Sequence, residues 1–147
     1  MAASESPKEP KLKRDKSRDR EFLGTVVAGK YKVLEILGQG GFGSVFVVEM
    51  TSGIIGDRLA MKMLPTEFSK NNMLREQFLN EIRVAMKMVD AHIVQIRDVG
   101  TTEGELEKGG GLLYYTMDYV DGKTLAQLIK QEGTLSIWRT LRIARRL

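Results

Sequence analysis

Tyr31, Lys32 and Val33 alternate apolar and polar character, as a strand does with one face in a core and the other in water; the pattern predicts a strand over 31–37. Ser44, Val45, Phe46, Val47 and Val48 are rich in β-branched and aromatic side chains and predict a second strand over 44–50. Gly53 and Gly56 mark a turn over 51–57, and a third strand follows over 58–64, closed by Pro65. From 69 to 88 the apolar spacing turns helical: stepping about 100° per residue gathers Leu74, Phe78, Ile82, Ala85 and Met88 into one arc. Two shorter strands are expected over 93–99 and 112–120, joined by the glycine-rich stretch 100–111, with Asp121 and Gly122 breaking the second. Helices are expected over 124–131 and from 136 onward. The sum is an α+β arrangement of antiparallel hairpins with one inserted helix, without alternating βαβ units.

Composition narrows the classes. The 147 residues are 42% apolar and 29% charged, ordinary for one folded unit. With no cysteine there is no disulfide framework, thiolate metal site or cysteine nucleophile, and a reducing, cytoplasmic compartment is the expectation. The start of the chain lacks the apolar core of a secretory signal, and the most apolar run, 112–117, is too short to cross a bilayer, so no membrane contact is expected in this segment. The first twenty residues carry +3 of the formal +4, from seven Lys and Arg against four acids. They lack aromatics for base stacking, so they are expected to form a disordered, solvated arm with no nucleic-acid partner.

Gly38, Gln39, Gly40, Gly41, Phe42 and Gly43 fit G-x-G-x-x-G. Glycines let backbone N–H groups approach a phosphate closely. Two site types share this pattern. A dinucleotide site needs a helix straight after the loop, with an acid further on for the ribose, and Asp57 stands at about that distance. Ser44, Val45 and Phe46 make a poor helix start and a good strand, which favours the other type. A bare hairpin turn would also explain the glycines, but Val45 extends the pattern to G-x-G-x-x-G-x-V, and the next strand carries Ala60, Met61 and Lys62. The motif G-x-x-x-x-G-K followed by Ser or Thr is absent.

Lys62 could simply face water, as most lysines do. Glu81 argues otherwise: on the helical wheel it falls at about 300°, inside the apolar arc, where an unpaired carboxylate would be costly. Arg75 shares the arc, but near the helix start, where its stem can reach water. His92, the only histidine, lies in the loop after the helix, and a packing or capping role is expected for it. Ile137, Trp138, Leu141 and Ala144 form a helical stripe expected to be a core face, with Arg139, Arg142, Arg145 and Arg146 largely on the solvated side.

Together these motifs resemble the protein kinases, in particular bacterial serine/threonine kinases of the eukaryotic-like (Hanks) type, over about residues 31–147. The resemblance implies an ATP-binding N-lobe over 23–117, with a five-stranded antiparallel sheet and one inserted helix. A charged tail over 1–22 would precede it, and the hinge and first helices of a helical C-lobe would follow over 118–147. Glycines 38–43 would cover the ATP phosphates, with Gln39, Phe42 and Ser44 in or beside the loop. Leu37, Val45 and Ala60 would enclose the adenine. Lys62 would pair with the α- and β-phosphates while Glu81 held it; the separation of nineteen residues suits bacterial members. Met117 would be the gatekeeper, and the backbone of Asp118, Tyr119 and Val120 would bond the adenine edge, Asp118 standing where glutamate is commoner.

The same resemblance implies phosphoryl transfer from ATP to serine or threonine hydroxyls of a protein substrate in the complete protein. The His-Arg-Asp and Asp-Phe-Gly elements that supply the catalytic aspartate and the Mg²⁺ ligands do not occur in these 147 residues. No metal ligands are therefore expected here, and this stretch is expected to bind ATP without transferring phosphate, as a fragment whose last helix awaits a partner lobe. A non-catalytic nucleotide-binding or regulatory module is the alternative.

Overall fold

A computed structural model describes residues 16–40, 43–52, 57–65, 71–102 and 111–146. A 3-10 helix, Lys16–Phe22, opens the order. It is followed by β1 (Val26–Val27), β2 (Tyr31–Gly40), β3 (Gly43–Met50), β4 (Arg58–Met63), helix α1 (Asn72–Ala85), β5 (Ile96–Thr101) and β6 (Leu113–Asp118). Helices α2 (Leu125–Glu132) and α3 (Ile137–Ala144) complete the chain. The strands form one antiparallel sheet in the order β1-β2-β3-β4-β6-β5. The α+β class holds, with six strands among the described residues in place of the expected five. The addition is the two-residue β1, too short to leave a period in the sequence.

Strand register sorts the side chains onto two faces. Because neighbours in a strand alternate, Val45, Lys62 and Tyr115, which stand opposite one another across β3, β4 and β6, share a face. Helix α1 packs on that face, burying Phe78 and Ile82 with Leu64, Leu113 and Tyr115. The Phe78 and Tyr115 ring centroids are 5.4 Å apart. The opposite face holds the larger cluster, in which Val33, Phe46, Val48, Met61 and Tyr114 are buried beside Tyr31 and Met63. Tyr31 and Tyr114 meet edge to face at 6.0 Å.

Part of the stretch expected to form a charged tail carries structure: the 3-10 helix Lys16–Phe22 lies against the sheet, with the Phe22 ring 6.0 Å from that of Phe46 and Asp19 buried. A stretch read as too polar to repay its ordering gains a place on the sheet through these two side chains.

Element ends shift for local reasons. Helix α1 starts at Asn72 because the Asn71 side-chain Oδ1 accepts from the backbone N–H groups of Met73 and Leu74. It stops at Ala85, so Met88, expected inside the apolar arc, lies beyond the helix and is exposed. Ile93 and Val94 precede β5 instead of opening it. Thr124 and Gln127 form a capping box at α2, and Gly133 ends that helix at φ 73°. Ser136 caps α3. The stripe expected to be a core face on α3 stands open among the described residues: Trp138 is 80% and Ile137 77% exposed.

Candidate functional site

The glycine loop is the hairpin between β2 and β3. Leu37, Gly38, Gln39 and Gly40 end β2; Gly43, Ser44 and Val45 begin β3; Gly41 and Phe42 lie outside the described residues. The last pairs before the turn are Gly38 with Val45, Gln39 with Ser44, and Gly40 with Gly43. Gly43 leads directly into a strand, which overturns the dinucleotide alternative and with it the ribose role considered for Asp57. Glycine is required at position 43: φ is +131°, and a Cβ there would lie 2.3 Å from the Met63 carbonyl oxygen on β4. No such wall stands at Gly38, where a Cβ would meet nothing within 4 Å.

On the sheet face beneath this hairpin, Val45 is opposite Lys62, Lys62 opposite Tyr115, and Ala60 opposite Met117. Lys62 therefore does not occupy the water-facing side that its residue type alone suggests. Its Nζ lies 2.6 Å from Oε1 of Glu81 on α1, and its side chain is 18% exposed. The burial of Phe78 and Ile82 turns Glu81 toward the sheet. The Phe78 and Tyr115 ring centroids lie 5.9 Å and 5.7 Å from Nζ, so two aromatic faces flank the ammonium.

Tyr115 is the site residue that sequence reasoning missed. Its hydroxyl donates to the same Glu81 oxygen at 2.8 Å. Within an apolar run it looks like core filling, and the available signal was its strand parity with Met117. Burial pushes the Glu81 carboxyl up, but the bonds from Lys62 and Tyr115, with the Lys62 charge, outweigh it and hold the group below its ordinary value. Burial, then the bond to Glu81, pushes the Tyr115 phenol well above its ordinary range, so it remains a donor.

At the far end of β6, Met117 packs against the α1-side cluster. The Asp118 carboxylate is held by Arg97, at 2.5 Å from Nε and 3.1 Å from Nη2, on the face away from Lys62. The Asp118 N–H donates to the Gln95 carbonyl at 3.1 Å. Tyr119 and Val120 follow the strand, Val120 exposed. His92 neither packs in the core nor caps a neighbour: its side chain is half exposed, and it is the Asp90 carboxylate that accepts from the His92 backbone N–H at 2.8 Å and lies 3.1 Å from its Nδ1. Among the described residues no group of three or more His, Asp or Glu is placed to hold a metal ion, and no helix is long and apolar enough to cross a membrane.

An ammonium and a carboxylate paired between a sheet and one helix, beneath a glycine hairpin, form the arrangement that the resemblance to the protein kinases led one to expect. The protein kinase domain family matches residues 31–147, and the chain belongs to that family. It is 34% identical over 114 residues to a protein named "Probable serine/threonine-protein kinase" in Clostridium acetobutylicum, covering 78% of this chain and 16% of that one. To the serine/threonine-protein kinase PknA of Mycobacterium tuberculosis it is 29% identical over 119 residues, covering 81% of this chain and 27% of the relative. The crystal structure of the Mycobacterium tuberculosis PknI kinase domain superposes with a TM-score of 0.65 at 27% identity, over 84% of this chain and 46% of that one. The chain thus spans about a quarter or less of the curated relatives' length and about half of the kinase domain.

Proposed function

We propose that this chain is the ATP-cradling part of a serine/threonine protein kinase, which in the whole protein transfers phosphate from ATP to protein hydroxyls in the cytoplasm. The observation that carries the reading is the Lys62–Glu81 pair at 2.6 Å on the face shared with Val45. A half-buried ammonium fixed by one carboxylate oxygen is a point charge already aimed, so little ordering is needed when a phosphate arrives.

The described residues suit the parts of ATP unequally. Lys62 and the amides beside Gly38, Gly40 and Gly43 suit the phosphates. Leu37, Val45, Ala60 and Met117 offer apolar surface for the adenine. The Asp118 N–H is bonded to Gln95, so the part assigned to Asp118 at the adenine edge falls to its carbonyl, together with the backbone of Tyr119 and Val120. The described residues do not make a place for Mg²⁺. The cytoplasmic assignment is supported by the cysteine-free composition and by the use of ATP.

Titrating the chain with a fluorescent ATP analogue tests the reading. Binding is expected to weaken about tenfold or more in Lys62→Met, the consequence of losing one charge-assisted contact. Equal affinity in the two proteins would reject it.

A further inference from the structure

Asp19 lies in the 3-10 helix before the sheet and is 7% exposed. Its Oδ2 accepts from Gln39 Nε2 at 2.6 Å and from Ser44 Oγ at 2.5 Å. Gln39 and Ser44 are directly opposed across the glycine hairpin, one pair before its last, Gly40 with Gly43. A single carboxylate oxygen therefore ties together the two limbs of the loop. It does so from the face opposite Lys62, because Gln39 and Ser44 alternate with the Gly38–Val45 pair that shares the Lys62 face. Phe22, packed on Phe46 two positions along β3, anchors the segment that carries Asp19.

We propose that Asp19 is a positioning residue for the nucleotide loop: the segment before the sheet latches the two limbs of the hairpin from its outer face and fixes how the glycine amides are presented to phosphate. This rests on the ATP-site reading above. A hairpin whose limbs carry Gly38, Gly40 and Gly43 has little side-chain packing to stiffen it. Two hydrogen bonds to a charged acceptor, made where that packing is missing, supply the stiffness without occupying the side on which ATP would lie. The 3-10 helix thereby couples the residues preceding the lobe to nucleotide affinity, although none of its own side chains need touch the ligand.

The test uses the 147-residue chain and two readouts: backbone amide exchange followed by NMR, and the affinity for a fluorescent ATP analogue. In Asp19→Ala, exchange at Gln39, Gly40 and Ser44 is expected to speed up about tenfold, with amides of β5 and β6 unchanged. The ATP analogue should dissociate faster and bind about three- to tenfold more weakly. Asp19→Asn keeps a carbonyl oxygen that can take both donors and should restore most of both properties, which loss of a general structural support would not allow. Should Asp19→Ala fail to fold, Gln39→Ala and Ser44→Ala break the latch from its other end. Unchanged exchange at the hairpin overturns the latch; faster exchange with unaltered nucleotide affinity overturns the positioning role. A wild-type chain that binds no nucleotide overturns the ATP-site reading and the positioning role with it, while the exchange comparison still decides whether the latch exists.

Discussion

Tyr115 donates its hydroxyl to Oε1 of Glu81 at 2.8 Å, the same oxygen that Lys62 holds at 2.6 Å. The carboxylate is thus fixed from two sides, once by a charge and once by a neutral donor built into the sheet. Were the ammonium to lean toward a phosphate, the phenol would still keep Glu81 turned inward. The pair is therefore a triad, with its third member on β6, the strand that runs on to Asp118.

Removing only the phenolic oxygen isolates that third member. Tyr115→Phe keeps the ring against Phe78 and should lower stability by about 1 kcal/mol, the worth of an ordinary hydrogen bond; the partial exposure of Glu81 keeps the figure from the larger value of a fully buried charged acceptor. Denaturant unfolding measures it. The same variant should bind the ATP analogue several-fold more weakly, because Glu81 gains freedom to leave Lys62.

The triad also sets a pH dependence whose sign is fixed. The Glu81 carboxyl is held below its ordinary value of 4.5, so its folded pKa is lower than its unfolded one. The stability it contributes is complete above that ordinary value and is lost as the pH falls through the depressed folded value. Because the side chain is 47% exposed, the effect should stay below about 1 kcal/mol. Unfolding of the wild type and Glu81→Gln compared between about pH 7 and about pH 3 should give a difference that shrinks on the acid side. A difference that grows with acidity would mean the pair is not formed.

Much of this arrangement was legible because each part left a local signature. The strands around the glycines follow from β-branched runs, and the inward turn of Glu81 follows from its angle among Leu74, Ile82 and Ala85. Parity within β4 could not choose between Lys62 facing water and facing the helix; the carboxylate across the gap decided it. Tyr115 and Asp19 escaped notice for a different reason. Each acts through a partner distant in sequence, Glu81 in one case and Gln39 and Ser44 in the other, and neither period nor composition encodes such a pairing. Asp19 was further hidden by its neighbours, since a carboxylate among lysines and arginines looks solvated until a sheet covers it.

The packing of the segment before β1 gives a direct check on its order. Phe22 is partly buried, with its ring edge to face against the fully buried Phe46. Phe22→Ala should cost about 1–2 kcal/mol, less than a full core truncation because the ring is only half enclosed. It should also raise the susceptibility of residues 16–22 to limited proteolysis. A variant as stable and as resistant as the wild type would return this segment to the disordered tail that its composition suggests.

Gly43 and Gly38 belong to one loop but should fail in different ways when a methyl group is added. At Gly43 an L side chain meets both an unfavourable φ of +131° and the Met63 carbonyl at 2.3 Å. Backbone on β4 cannot rotate aside as a side-chain tip could, so either β3 shifts away from β4 or the turn opens. A loss of more than about 2 kcal/mol is expected for Gly43→Ala, visible in thermal unfolding. Met63 is the direct neighbour of Lys62, so a shift there would also disturb the ammonium, and nucleotide binding should fall along with stability. Gly38 has neither constraint, and alanine in a strand is intrinsically favoured over glycine by about 0.5–1 kcal/mol. Gly38→Ala should therefore leave the melting temperature unchanged or raise it slightly. Its methyl group would stand on the Val45 face, where the phosphates are proposed to lie, and should weaken binding of the ATP analogue even so. Stability lost at one glycine and affinity alone lost at the other would separate the hairpin's structural demand from its ligand demand; equal destabilisation at both would remove that distinction.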